Sequence, residues 1–157
     1  MMNRTHSFLL AGLAVLCGAV APTLVDAQPG TIRGEVFVVL AKEAPGEIDP
    51  ALADLSALRQ PPFNAFRSLS ILERQAVRLR QNTPQDINLP NGRVLRLELQ
   101  RVMPDGRLRV RVSIKREGEE AYLPLLQVVT APGDPFFVAG QSHQGGTLVI
   151  GVRLGSA

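Results

Sequence analysis

Two alternating runs joined by a tight turn constrain this chain more than any other feature. Arg93-Val-Leu-Arg-Leu-Glu-Leu-Gln-Arg-Val102 puts Leu95, Leu97 and Leu99 on one face. Arg107-Leu-Arg-Val-Arg-Val-Ser-Ile-Lys115 puts Leu108, Val110, Val112 and Ile114 on one face, and Arg107, Arg109, Arg111 and Lys115 on the other. A strict period of two is the pattern of a half-buried antiparallel strand, because successive side chains leave the backbone on opposite sides. Met103-Pro-Asp-Gly106 between them is turn chemistry: proline presets φ, aspartate bonds its own backbone and glycine accepts positive φ. Paired residues must share a face, so with odd residues inward on the first strand and even ones on the second, paired numbers sum to an odd value. That parity predicts a loop of Asp105-Gly106 alone, or of Met103 to Gly106. Upstream, Ile87 and Leu89 share odd parity with Leu95 and Leu97, which predicts a three-residue loop, Pro90-Asn91-Gly92, with positive φ at Gly92. The reading is an antiparallel meander from Asp86 to about Lys115.

The other segments supply strands to this meander. Thr31 to Ala41 (TIRGEVFVVLA) is almost wholly apolar from Val36 onward, which suits a central strand buried on both faces. Asp49 and Pro50 provide an N-cap and a first helical residue that needs no N–H partner. Leu52, Leu55 and Leu58 make a narrow stripe, and Pro61-Pro62 ends it. The expectation is a helix of about ten residues, docked on the sheet because it is too short to stand alone. Ser68 to Leu79 alternates, loses the pattern near Glu73-Arg74 and alternates again, so it reads as two short strands or one bent one, with a helix as the competitor. Arg116 to Glu120 is a polar connection. Ala121 to Thr130 is a strand whose Pro124 suits an edge or a bulge. Pro132 to Pro135 is a turn, Phe136 to Ala139 a short strand, Gly140 to Gly146 a glycine-rich loop, and Thr147 to Leu154 a last strand. Together they predict a mainly β fold: an antiparallel β-sandwich or partly open barrel of about eight short strands with one short early helix.

The N-terminus reads as a secretion signal. Arg4 and His6 form a polar start, Phe8 to Val20 an apolar stretch, and Val25-Asp26-Ala27 a cleavage site. The apolar run is shorter than the roughly 20 residues a membrane helix needs, which disfavours an uncleaved anchor. Leu16 before Cys17 stands where a lipoprotein signal wants a small residue. Residues 1–27 are therefore read as a signal peptide, and 28–157 as a single β-rich domain with no transmembrane segment. The destination is the periplasm or the outside of a Gram-negative bacterium. Removing residues 1–27 takes away Arg4 and Asp26, so the formal net charge stays at +3. It also takes away the one cysteine, Cys17, so no disulfide can staple the domain and an apolar core must hold it.

Most catalytic constellations lack members. With Cys17 gone there is no thiol nucleophile, and His143, the one histidine beyond the leader, sits beside Ser142 in a predicted loop. That is not how a Ser-His-Asp triad is built. One histidine cannot make a His/Cys metal site. Carboxylates cluster at Glu43, Glu47, Asp49 and Asp54 and again at Glu117, Glu119 and Glu120. They could serve a hydrolase, but without the spacing of a calcium loop they read first as solvated charge. The glycine loop at 140–146 lacks the order of a phosphate-binding loop. No catalytic residue, cofactor or metal is expected.

Two surfaces remain. Arg96, Arg107, Arg109, Arg111 and Lys115 project from the hairpin's polar face, joined by Glu98 and Gln100. They could hold an anionic glycan or lipid headgroup; nucleic acid is disfavoured because no exposed aromatics are interleaved. The other reading of that face is a solvated surface that discourages edge pairing. Phe63, Phe66, Phe136 and Phe137 are either core anchors or contacts for a partner.

The segments Asp49-Pro50-Ala-Leu52, Pro62-Phe63 with Phe66, Leu89-Pro-Asn-Gly-Arg93 and Gly145-Gly-Thr-Leu-Val-Ile150 resemble a group of small exported bacterial proteins of unassigned function. The resemblance implies export and carries no activity. The functional expectation is a non-enzymatic exported β-sandwich acting as an interaction or structural module with an envelope protein, and the alternative is a polyanion- or glycan-binding module using the arginine face.

Overall fold

The computed structural model describes residues 30–155; the signal peptide expected at 1–27 lies outside them. The elements are β1 (Thr31–Lys42), α1 (Pro50–Ala53), 3-10 turns at Ser56–Arg59 and Phe63–Ala65, β2 (Ser68–Arg80), β3 (Gln85–Asn88), β4 (Val94–Val102), β5 (Leu108–Lys115), β6 (Leu123–Thr130), β7 (Phe136–His143) and β8 (Gly146–Leu154). They form two four-stranded antiparallel sheets, β2-β1-β8-β7 and β3-β4-β5-β6, and no closed barrel.

Alternation builds the core. Val36, Val38 and Leu40 of β1 and Leu148, Ile150, Val152 and Leu154 of β8 meet Leu95, Leu97 and Leu99 of β4 and Leu108, Val110, Val112 and Ile114 of β5 between the sheets. The odd residues of β1, Phe37, Val39 and Ala41, face the other way and are buried with Val149, Leu52, Leu58 and Leu69 beneath the crossover from β1 to β2. The apolar run in β1 thus has its expected cause: it is a central strand with a layer on each side. At one end of the sandwich Arg93 donates to Gln141, bridging the two sheets.

The crossover is less helical than its leucine stripe suggests. Asp49 caps Ala51 N–H at 2.9 Å, yet α1 ends at Ala53 and Leu55 is extended at φ −77° and ψ 105°. Three reasons combine. A spacing of three matches the 3-10 repeat, propagation gains little in so short a segment, and the Arg59 guanidinium takes up the Ala53 carbonyl at 2.5 and 3.2 Å. Leu52 and Leu58 are still buried, so docking survives the break.

Bulges explain where the period of two misleads. β2 is a single bent strand: Val38 pairs with Glu73 and Val39 with Ile71, leaving Leu72 as the extra residue. Leu69 and Ile71 before it pack under the crossover, and Val77 and Leu79 after it enter the inter-sheet core. The Leu89–Arg93 turn has the predicted three-residue loop, with Leu89 N–H donating to Arg93 O at 2.8 Å and Gly92 at φ +78°. The β4–β5 turn differs from prediction. Met103 N–H donates to Arg107 O at 2.8 Å and Gly106 N–H to Met103 O at 2.9 Å, so the loop is Pro104-Asp105-Gly106. Parity is kept by a bulge at Gln100: Leu99 pairs with Val110 and Arg101 with Arg109. Both faces remain intact although the loop has an odd count.

The loop expected over Gly140–Gly146 is mostly strand. β7 runs on to His143, with a bulge at Gly140 (φ +115°), and pairs Ser142 with Thr147 and His143 with Gly146. Only Gln144 (φ 45°) and Gly145 (φ 72°) turn the chain, both left-handed, as a two-residue hairpin turn requires. The glycines there serve one bulge and one turn rather than a long loop.

Candidate interaction surfaces

The strand orders leave β2, β7, β3 and β6 as edges. An edge strand presents unpaired N–H and C=O groups, and chains usually blunt it with charge, brevity or a bulge. β2 carries Glu73, Arg74, Arg78 and Arg80; β3 spans only Gln85–Asn88; β7 is broken by the bulge at Gly140. β6, Leu-Pro-Leu-Leu-Gln-Val-Val-Thr, has no charged residue. It also carries Leu123, Leu125 and Val129, 40%, 37% and 40% exposed, three of the six large apolar side chains that stand out among the described residues. Pro124 and a bulge at Leu125 fall at its start, as the sequence suggested for an edge. From Leu126 to Thr130 the pairing with β5 is unbroken, so the opposite side of that stretch is a regular ladder that no strand among the described residues pairs with.

The outer face of the β3–β6 sheet holds the predicted arginines, but most are engaged. Arg96 donates to both Asp86 oxygens at 2.7 and 2.9 Å. Tyr122, just before β6, donates to Asp86 Oδ2 at 2.8 Å, and the Arg96 guanidinium lies 3.7 Å from its ring centroid. Lys115 sits 5.4 Å from the same ring. The Arg96 hydrogen bond, then that of Tyr122, holds the Asp86 carboxyl below the ordinary carboxylate range against its partial burial. Burial and the Asp86 carboxylate raise the Tyr122 phenol above its ordinary value. Arg107 is held by Asp105 of its own turn at 2.7 Å, and Arg111 lies 3.8 Å from Glu98 with the Gln100 amide beside it. Arg109 faces Arg101 across the ladder and has no carboxylate within ion-pair distance among the described residues. Sequence reading found these cations but missed Tyr122, which joins Asp86 and Arg96 only through the order of the strands.

The phenylalanines pack inward. Phe136 is buried between the sheets. Phe137 stacks edge-on against Phe37 at 5.7 Å and against Phe63 at 5.8 Å, and Phe63 and Phe66 lie half-buried against the layer under the crossover. Of the carboxylates, Asp49 is a cap, Asp54 lies 3.6 Å from Arg59, and Glu43, Glu47, Glu117, Glu119 and Glu120 are exposed. Among the described residues no three His, Cys, Asp or Glu side chains form a metal-sized group, and no helix is long and apolar enough to cross a membrane. No known protein family matches the chain, and neither does any curated protein or solved structure.

Proposed function

We infer that this protein is an exported, non-enzymatic β-sandwich that works as an interaction module of the cell envelope, taking an extended segment of a partner protein along β6. The observation that carries this reading is the contrast among the edges: β6 and β7 are both eight residues long without Asp, Glu, Lys or Arg, and among the described edges only β6 is lined by exposed Leu123, Leu125 and Val129. An added strand would satisfy the free ladder from Leu126 to Thr130, with alternate side chains setting specificity. Anion binding by the hairpin face is a weaker reading, because Arg96, Arg107 and Arg111 already have acidic partners.

The test is capture of envelope proteins by the chain at high salt, in parallel with Gln127→Lys/Val129→Lys. Both positions are exposed, so the variant keeps its fold while placing charge on the edge. A partner retained by the unaltered chain and lost with the variant supports the reading; equal capture by both refutes it.

A further inference from the structure

The outer face of the β2-β1-β8-β7 sheet is covered over only part of its length. The crossover lies on Phe37, Val39, Ala41 and Val149, and no other element among the described residues covers the face beyond them, where Arg33, Ala76 and Arg78 are exposed. There the pairing brings together arginines distant in the sequence. Arg33 of β1 stands directly opposite Arg78 of β2, and Arg153 of β8 directly opposite Glu35. Glu35 is committed elsewhere, accepting from Arg74 at 3.1 Å. Among the described residues Arg33, Arg78 and Arg153 have no carboxylate within 4.0 Å. Like charges directly opposite in a ladder oppose folding, so packing does not explain this arrangement.

Two depressions adjoin the cluster. One is open, about 680 Å³, lined by Arg33, Glu35, Ala76 and Arg78 and reaching Gly34, Val77 and, on β3 of the other sheet, Gln85. The other, about 80 Å³, is lined by Phe37, Ala51, Leu52 and Leu55 with Arg74 and Arg153. Arg74 and Arg153 thus flank an apolar recess, and Arg33 and Arg78 line the depression beside it. Strand spacing and rise place their Cα atoms within roughly 10–12 Å of one another.

We propose that this bare half of the sheet is a docking face for an anionic phospholipid bilayer, with headgroup phosphates received by Arg33, Arg78 and Arg153. Guanidinium forks match phosphate oxygens. A cluster of cations beside an apolar recess suits a headgroup layer better than a strand of nucleic acid, since Phe37 is buried and no aromatic ring among the described residues is fully exposed for stacking. This site is independent of the edge proposed above and lies on the other sheet.

The test is co-sedimentation of the chain, purified from its producing cells, with phosphatidylcholine vesicles with and without phosphatidylglycerol. Neutral vesicles measure any binding by apolar segments alone. Binding to the anionic vesicles should exceed that baseline and fall as salt rises. Each arginine neutralised should lower partitioning about fivefold, so Arg33→Gln/Arg78→Gln should lose roughly 25-fold. The same variant should melt no lower than the unaltered chain, since it removes a repulsion, whereas a merely structural role would lower its melting temperature. Arg109→Gln/Lys115→Gln, on the other sheet, should bind as the unaltered chain does. Equal binding to neutral vesicles, unchanged binding by Arg33→Gln/Arg78→Gln, or loss caused instead by Arg109→Gln/Lys115→Gln would each overturn the proposal. So would a rise in melting temperature with inorganic phosphate in a chain that ignores anionic vesicles.

Discussion

Gly151→Ala is the substitution whose cost the packing defines most sharply. A Cβ at Gly151 would lie 2.0 Å from Phe37 Cε2, 2.4 Å from Cζ and 2.6 Å from Cδ2. Carbon atoms rest about 3.5–4.0 Å apart, so the ring must retreat by more than about 1 Å. It has little room, being buried with its edge against Phe137 at 5.7 Å. Overpacking of this kind costs about 1–3 kcal/mol, and about 0.4–1 kcal/mol returns because alanine narrows the unfolded ensemble. The net expectation is a destabilisation of about 1–2 kcal/mol, or roughly 3–8 °C in melting temperature for a domain of this size. Phe37→Leu removes Cε2 and Cζ, two of the three clashing atoms. Gly151→Ala should therefore cost at least about 1 kcal/mol less in a Phe37→Leu background than alone, a coupling typical of residues in contact. Urea unfolding of the two single variants and the double variant gives the cycle. A neutral Gly151→Ala, or costs that simply add, would refute the reasoning.

Asp86→Asn should lower stability by about 0.5–1 kcal/mol at neutral pH, a magnitude limited by exposure of the pair. Because the folded carboxyl sits below its ordinary value, the contribution is present above that ordinary value and fades as pH falls through the lower, folded one. The gap between Asp86→Asn and the unaltered chain should hold from pH 5 to 8 and close in stronger acid, as read by thermal melts. Asp49→Ala should cost about 1 kcal/mol through loss of the cap on Ala51, seen as a lower urea midpoint with unchanged slope. Val129→Lys should leave stability within about 0.5 kcal/mol, because the side chain is 40% exposed, while it abolishes partner capture.

Much of the fold is legible because alternation and turn chemistry agree. The β3–β5 meander, the doubly buried β1 and the Pro124 edge strand each follow from a pattern that burial enforces. The failures in the strands come from bulges. A bulge adds a residue that at Leu72 and Gln100 carries no compositional mark, and at Gly140 the glycine that marks it also reads as a loop; each shifts the face on which later residues fall. The crossover misleads for a different reason: leucines three apart fit a 3-10 turn as well as a helix, and docking on the sheet decides between them. The surfaces are harder still. Arg107, Arg109 and Arg111 stand out as a run, yet two of them are paired locally. Arg33, Arg78 and Arg153 have no sequence signal in common and meet only because β1 lies between β2 and β8.

The most direct test of the proposed function places a photo-activatable benzoylphenylalanine at Gln127, on the edge strand β6, and compares it with the same group at exposed Ser70, where the Glu47–Asp49 segment already occupies the edge of β2 by bonding Leu69. Irradiation of producing cells should yield a discrete adduct with a partner protein from Gln127 and none from Ser70. No adduct from Gln127, or the same adduct from both positions, would contradict docking along β6.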